Sequence, residues 1–196
     1  MSTTAAPYGL KPVNLLGGQA NPGSLRLYKI ASGYNTGIFY GDVVKLVVGG
    51  TIEKDAGTTT ATPIGVFMGC EYVSATQGLL HRNQWTASTT VPTGTTAWAY
   101  VCDDPDMLFE IQADEAVAQA GIGTNAALVQ GAGSTATGMS AVALDGNSIN
   151  STATLPLRIV DYVRRPGQAD IGDTYTDLIV KFVTHANRTA LANASA

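Results

Sequence analysis

Glycine and proline interrupt this sequence so often that no long helix fits between them. The 196 residues include 22 glycines and 8 prolines, and both residue types disfavour the interior of a helix. Between them, apolar residues alternate with polar ones, as Leu25, Leu27 and Ile30 do, or form short runs that end at a turn. Gly49 and Gly50 separate two such runs in the way that the turn of a hairpin does. The pattern predicts many short strands joined by tight turns.

The predicted fold is mostly β, with one or two small β-barrel or β-sandwich modules, an extended N-terminal arm and a single short helix. The arm is assigned to residues 1–23 and a first β module to residues 24–112. A second β-rich module is assigned to residues 113–185, and a flexible C-terminal tail to residues 186–196.

A single short helix is expected at the start of the second module. Asp114 is a good N-cap residue, and Glu115 suits the positive end of the helix dipole. The segment Ala116–Ala120 follows, and Gly121 is a typical residue at which a helix ends.

The N-terminal arm combines turn-forming residues with apolar side chains. Its prolines and glycines forbid a helix and discourage a central strand. Tyr8, Leu10 and Val13 are nevertheless apolar and must be buried somewhere. They either lie over a neighbouring subunit or pack on the core of their own chain, and the sequence leaves both possibilities open.

The charge of the chain limits its partners. Charged residues make up only 13% of the sequence, about half the usual share, which suggests that a neighbour in an assembly covers much of the surface. The net charge is −4 and the 11 basic residues are scattered, so direct binding of nucleic acid is not expected. The chain shows neither a signal peptide nor a membrane span, so we expect a protein that is used without secretion.

The sequence lacks the motifs of the common catalytic and metal sites, so no enzymatic activity, no metal and no cofactor are predicted. His81 and His185 have no nucleophile motif such as GxSxG nearby. The acidic residues at 103–106 surround a proline and lack the alternating pattern of a calcium-binding loop. Cys70 and Cys102 end apolar runs and are expected to be buried thiols, although a bridge between neighbouring strands stays possible.

Two stretches of the chain resemble known viral proteins. The Gly41–Gly69 region, within YGDVVKLVVGGTIEKDAGTTTATPIGVFMG, resembles the core of lambda-type head-decoration proteins. The whole chain, from APYGLKPV through DDPDMLFEIQAD and LRIVDYVRRP to DLIVKFVTH, is similar to proteins encoded near the major capsid gene of short-tailed phages.

The resemblance implies a capsid decoration (cement) protein of a tailed phage. Such a protein forms a homo-oligomer, expected to be a trimer, on the outer surface of the capsid in the virion. It binds the major capsid protein and bridges neighbouring subunits, which stabilises the mature head against the pressure of packaged DNA. The residues expected to contact partners lie in the arm and at one Arg pair, which suits carboxylates or is simply solvated. They are Pro7, Tyr8, Gly9, Leu10, Lys11, Pro12, Val13, Arg164 and Arg165.

Two other functions stay open. A phage tail or fibre component for host attachment would carry exposed aromatic loops, for which Trp85 is the candidate. A small hydrolase or sugar-binding module would need a convergent polar site that involves residues such as His81 or Asp104.

Overall fold

The structure is a computed structural model that describes residues 4–21, 23–164 and 171–188. Two turns of 3-10 helix lie among the strands of this part of the chain, at Gln119–Gly121 and Gly146–Ser148. The strands that it contains are β1 (Lys11–Leu15), β2 (Arg26–Ile30), β3 (Ile38–Phe39), β4 (Val43–Leu46), β5 (Thr51–Lys54), β6 (Gly65–Ser74), β7 (Gly78–Arg82), β8 (Gln84–Trp85), β9 (Ala97–Cys102), β10 (Met107–Gln112), β11 (Asn125–Ala126), β12 (Leu128–Val129), β13 (Ala143–Leu144), β14 (Leu157–Tyr162) and β15 (Asp177–Phe182).

Five strands close into a small barrel in the order β4–β5–β2–β9–β6. The pairing of β6 with β4 closes the ring. Strands β2 and β5 run parallel, whereas the other neighbours in the barrel run antiparallel. Strand β7 extends the same sheet beyond β6 as a hairpin. Ile52, Phe67 and Val101 fill the interior and are fully buried, as expected for a barrel too narrow to hold a channel.

A second sheet has the order β1–β10–β15–β14–β11, and all of its pairs are antiparallel. Alternate residues of its strands enter a second core, in which the ring centroids of Phe109 and Phe182 lie 5.3 Å apart. Val43 and Val66 of the barrel belong to the same buried cluster. The barrel and the second sheet therefore share apolar contacts.

The predicted fold class is confirmed, because the protein is mostly β and contains a closed five-stranded barrel. The hairpin expected around Gly49 and Gly50 is formed by β4 and β5. Both glycines have positive φ angles, of 99° and 74°, which L-residues with side chains rarely adopt.

The predicted short helix is wrong. Ala118 is extended, with φ −79° and ψ 164°, and only Gln119–Gly121 forms a turn of 3-10 helix. The backbone N–H of Val117 donates to Oγ1 of Thr176, and the Val117 side chain is buried in the second core. A helix this short gains little by itself, so the tertiary contact determines the conformation.

The N-terminal segment is not a detached arm. Strand β1 pairs with β10, with Lys11 opposite Glu110 and Pro12 opposite Phe109. Pro12 fits here because β1 is at the end of the sheet order, where a missing N–H costs no ladder hydrogen bond. Leu10 thus packs in the core of its own chain, which was one of the two possibilities left open, whereas Val13 is 43% exposed.

The sheets divide the chain differently from the predicted modules. Strand β10, assigned to the module 24–112, lies in the second sheet between β1 and β15. The segment that contains β1, assigned to the arm 1–23, belongs to the same sheet. Of the predicted tail 186–196, only the first three residues are described, and the rest lies outside the described residues.

A buried ion pair joins the barrel to the segment that follows β12. The Asp42 side chain is fully buried, and its two oxygens lie 3.1 and 3.2 Å from Nζ of Lys54, which is 11% exposed. Oγ of Ser140 donates to Asp42 at 2.6 Å, and the backbone N–H of Phe39 donates to it at 2.9 Å. Nζ of Lys54 also donates to the carbonyl of Gly131 at 3.4 Å. The Asp42 carboxylate is therefore compensated by groups from the barrel region and from the segment after β12.

Replacement of Lys54 by Met tests this junction. The Lys54→Met variant leaves the Asp42 carboxylate buried without its cation, which typically lowers the free energy of unfolding by about 3–5 kcal/mol. Urea denaturation measures the loss. The double variant Asp42→Asn, Lys54→Met removes both charges and should lose clearly less, whereas an equal loss would show that the ion pair is not the cause.

Candidate partner-binding surfaces

The side chain of Tyr8 lies across the outer face of the second sheet. Its hydroxyl group is 3.0 Å from Oε1 of Glu110 and 3.1 Å from Oδ1 of Asp177. Burial, with the two nearby carboxylates, raises the pKa of Tyr8 well above its usual value. Nζ of Lys11 lies 3.7 Å from the centroid of the Tyr8 ring, within cation–π range. Tyr8 therefore anchors the N-terminal segment rather than projecting from it.

Gly9 and Leu10 connect the N-terminal segment to the residues just before β4 and just before β13. The N–H of Gly9 donates to the carbonyl of Val142, and the N–H of Leu10 donates to the carbonyl of Gly41. A Cβ on Gly9 would lie 2.6 Å from both the Gly41 oxygen and Cβ of Ser140. Gly9 also has a φ of 75°, so only glycine fits this close approach. The predicted contact residues Gly9 and Leu10 are buried and cannot touch a partner in this conformation.

Two of the predicted contact residues do line one exposed groove. Val13 of β1 is 43% exposed and borders a shallow groove of about 440 Å³ on the outer face of the second sheet. Arg164, which follows β14, lies along the same groove, and Leu108 and Ile179 contribute apolar surface to it. Pro7, Lys11 and Pro12 are partly buried. We call this groove the sheet groove. The last predicted contact residue, Arg165, lies outside the described residues.

A second exposed surface lies on the outer side of the barrel, across the adjacent strands β2, β9, β6 and β7. The register places Lys29 and Glu71 on either side of Trp98, and His81 beyond Glu71. Next to this row on the same face, Leu27 lies opposite Tyr100 and Val73 lies opposite Leu79. We call this surface the barrel face, and its residues are Leu27, Lys29, Glu71, Val73, Leu79, His81, Trp98 and Tyr100.

Glu71 is the polar centre of the barrel face. The Tyr100 hydroxyl donates to Oε2 of Glu71 at 2.6 Å, and this hydrogen bond raises the pKa of Tyr100. Nδ1 of His81 lies 3.5 Å from the same oxygen, and the His81 side chain is 62% exposed. Nζ of Lys29 is 5.6 Å from the centroid of the Trp98 ring. Leu27 and Leu79 are 46% and 62% exposed, so apolar side chains border this polar centre.

Sequence reasoning missed the barrel face because it selected a different tryptophan. Trp85, expected to be exposed, is fully buried, and its ring N–H donates to the carbonyl of Tyr34 at 3.2 Å. The signal for the barrel face is present in Ala97–Cys102, where small buried residues alternate with Trp98 and Tyr100. Period-two alternation of this kind indicates that the aromatic residues share the opposite, outer face of the strand.

Asp103 and the two cysteines make contacts or are buried within the fold. Asp103 accepts a hydrogen bond from Tyr28 and pairs with Arg26. Cys70 and Cys102 are free and buried, as predicted, and burial raises the pKa of their thiols to about 12 and about 11. No cluster of three potential metal ligands occurs among residues 4–21, 23–164 and 171–188.

Comparison with known proteins gives no relative: no protein family, no curated protein and no solved structure matches the chain. In the part of the chain that the structure describes, no helix has the length and hydrophobicity needed to cross a membrane. A function for this protein therefore has to be argued from its surfaces.

Replacement of Gly9 by Ala should destabilise the fold strongly. The Cβ of the new alanine would clash with the backbone of Gly41, and the alanine would also have to adopt the positive φ angle of Gly9. We expect a loss of about 3 kcal/mol in the free energy of unfolding, the sum of overpacking and backbone strain. Gly18→Ala is the matched control, since Gly18 has a φ of 80° and no atom within 4 Å of its Cβ position. Equal losses in the two variants would mean that the contact with Gly41 contributes nothing.

His185 makes the stability depend on pH. The residue is fully buried, its Nδ1 accepts the N–H of Asn187, and burial lowers its pKa. The unfolded chain, with a histidine pKa of about 6.5, binds a proton before the folded chain does. His185 thus contributes stability above about pH 6.5 that is lost as the pH falls.

The His185→Asn variant tests this pH dependence, because an Asn oxygen can replace Nδ1 as acceptor but does not titrate. Thermal unfolding is measured at several pH values between about pH 7.5 and about pH 5. The fall in pH should lower the melting temperature of the wild type more than that of the variant. Parallel pH profiles would refute the role of His185.

Proposed function

We propose that this protein is a capsid decoration protein of a tailed phage. In this proposal it binds the major capsid protein on the outer surface of the mature head and forms a homo-oligomer, which the resemblance makes a trimer. It bridges neighbouring capsid subunits and so stabilises the head against the outward pressure of packaged DNA. The role requires no reaction, only stable contacts at fixed positions.

The observation that supports this proposal best is the pair of separate exposed surfaces on one joined scaffold. The sheet groove lies on the second sheet and the barrel face lies on the barrel. The backbone contact of Leu10 with Gly41 joins the N-terminal segment of the second sheet to the barrel, and the buried pair of Asp42 and Lys54 bonds to Ser140 and Gly131 of the segment after β12. A protein that bridges needs at least two contact surfaces with a fixed spacing, and a joined scaffold of this kind supplies them.

Mass action explains how such a protein would stabilise a shell. A ligand that binds only the expanded lattice favours that lattice over any state that it does not bind. Each additional contact of an oligomer with the same shell occurs at a high effective concentration, so weak contacts add to a strong attachment. In this proposal the sheet groove faces the capsid, because it contains Val13 and Arg164, two of the residues that the sequence assigned to partner contact.

The test is co-sedimentation of the purified protein with shells of the virus that encodes it. The protein should sediment with expanded shells but not with unexpanded precursor shells. The Val13→Asp variant places a charge in the sheet groove and should weaken binding to expanded shells about tenfold. Thr93→Asp is the control, because Thr93 is an exposed loop residue outside both surfaces.

Two results would contradict the proposal. The first is a protein that fails to bind expanded shells at any concentration tested. The second is immunogold labelling of intact particles that places the protein on the tail, which would favour host attachment instead.

A further inference from the structure

The barrel face combines the residue types that dominate protein–protein contacts. Trp98 and Tyr100 lie at its centre, and aromatic residues of this kind often dominate binding energy. Leu27 and Leu79 are exposed near its borders. The charged groups on this face are few, and one of them, Lys29, has no carboxylate partner among the described residues of its own chain.

We infer that the barrel face packs against the barrel face of a second copy of the chain, so that Lys29 of each copy meets Glu71 of the other. The inference names a two-fold contact that differs from the contact within the proposed trimer, and it rests on the proposed function for its role on a shell. The contact itself requires no capsid.

Opposite charges lie on the two sides of Trp98. Lys29 lies one strand away from Trp98 on β2, and Glu71 lies one strand away on the other side, on β6. Neighbouring strands are about 4.8 Å apart, so the backbones of Lys29 and Glu71 lie at equal distances on the two sides of β9. Within one chain the tryptophan separates the two charges.

A two-fold axis makes this arrangement self-complementary. When two such sheets stack face to face about an axis that runs parallel to β9, midway between the sheets and above Trp98, every residue on β2 faces the position of β6 in the other copy. Lys29 then lies over the partner's Glu71, and the two Trp98 rings lie over each other. An isologous contact of this kind is made twice, once from each side. Glu71 keeps its bond to Tyr100, since a carboxylate accepts several hydrogen bonds.

The size of the face indicates the strength of the contact. Four adjacent strands measure about 14 Å across, so the contact is smaller than the roughly 800 Å² per partner of a standard interface. Two free copies should therefore associate weakly. A trimer would carry three such faces, and contacts between trimers on a shell would add through effective concentration. The barrel face would thus link decoration proteins to each other, while the sheet groove contacts the capsid.

Charge reversal provides a decisive experiment in the absence of shells. Sedimentation velocity over a wide concentration series should show an association step for the wild type. Lys29→Glu alone and Glu71→Lys alone each place like charges opposite each other twice, and each should weaken this step about tenfold or more. An equimolar mixture of these two variants should recover the step, because every unlike pair is restored between the two different chains. The double variant Lys29→Glu, Glu71→Lys should recover it by itself.

Lys45 and Glu53 provide the matched control. They are opposite each other on β4 and β5 of the same barrel but outside the barrel face. Lys45→Glu and Glu53→Lys should each leave the association step unchanged. Circular dichroism and melting temperature establish that every variant is folded.

The inference is overturned if the wild type shows no concentration-dependent step, or if the mixture of the two single variants associates no better than either alone. Shell binding gives a separate result. If the protein sediments with expanded shells but lacks the association step, the proposed function stands and only this inference is contradicted. If the protein shows the association step but does not bind shells, the proposed function is contradicted.

Discussion

The carboxylate of Asp42 has no access to water, and this fact constrains the whole molecule. A buried charge is tolerated only where a cation and hydrogen-bond donors surround it, and here the donors come from separate parts of the chain. Lys54 ends the second strand of the β4–β5 hairpin, whereas Ser140 lies far along the sequence. Any displacement of the barrel from the 130–140 segment would expose or unpair this charge.

Local sequence signals predicted the parts of the fold that depend on neighbouring residues. Alternating apolar residues and paired glycines indicated the strands and the β4–β5 turn, because both signals act within a few positions. The helix expected near Asp114 failed because Val117 is held by Thr176, a contact between residues distant in sequence. The sequence left open whether the N-terminal arm packs on its own chain, because the pairing of β1 with β10 joins residues distant in sequence.

The candidate surfaces divide in a similar way. Val13 and Arg164 were predicted from the sequence to contact partners, but their position along one groove depends on the order of strands β1, β10, β15 and β14. The barrel face depends on register across four strands, and register cannot be read from a single strand. Its strongest local sign was the alternation in Ala97–Cys102, which also indicates that Trp98 lies on the outer face of the barrel. The proposed decoration role would use both surfaces, because a protein that bridges two partners needs two separate contact surfaces.

The order of the strands along the chain has a consequence for synthesis on the ribosome. Strand β1 comes first, but its partner β10 follows the entire barrel, which is inserted between them. At typical translation rates of about 5–20 residues per second, the first strand waits for several seconds or longer before that partner exists. The barrel strands emerge completely within this interval. The nascent chain can therefore assemble its barrel while its N-terminus is still unpaired, and the second sheet closes around both ends of the finished insertion.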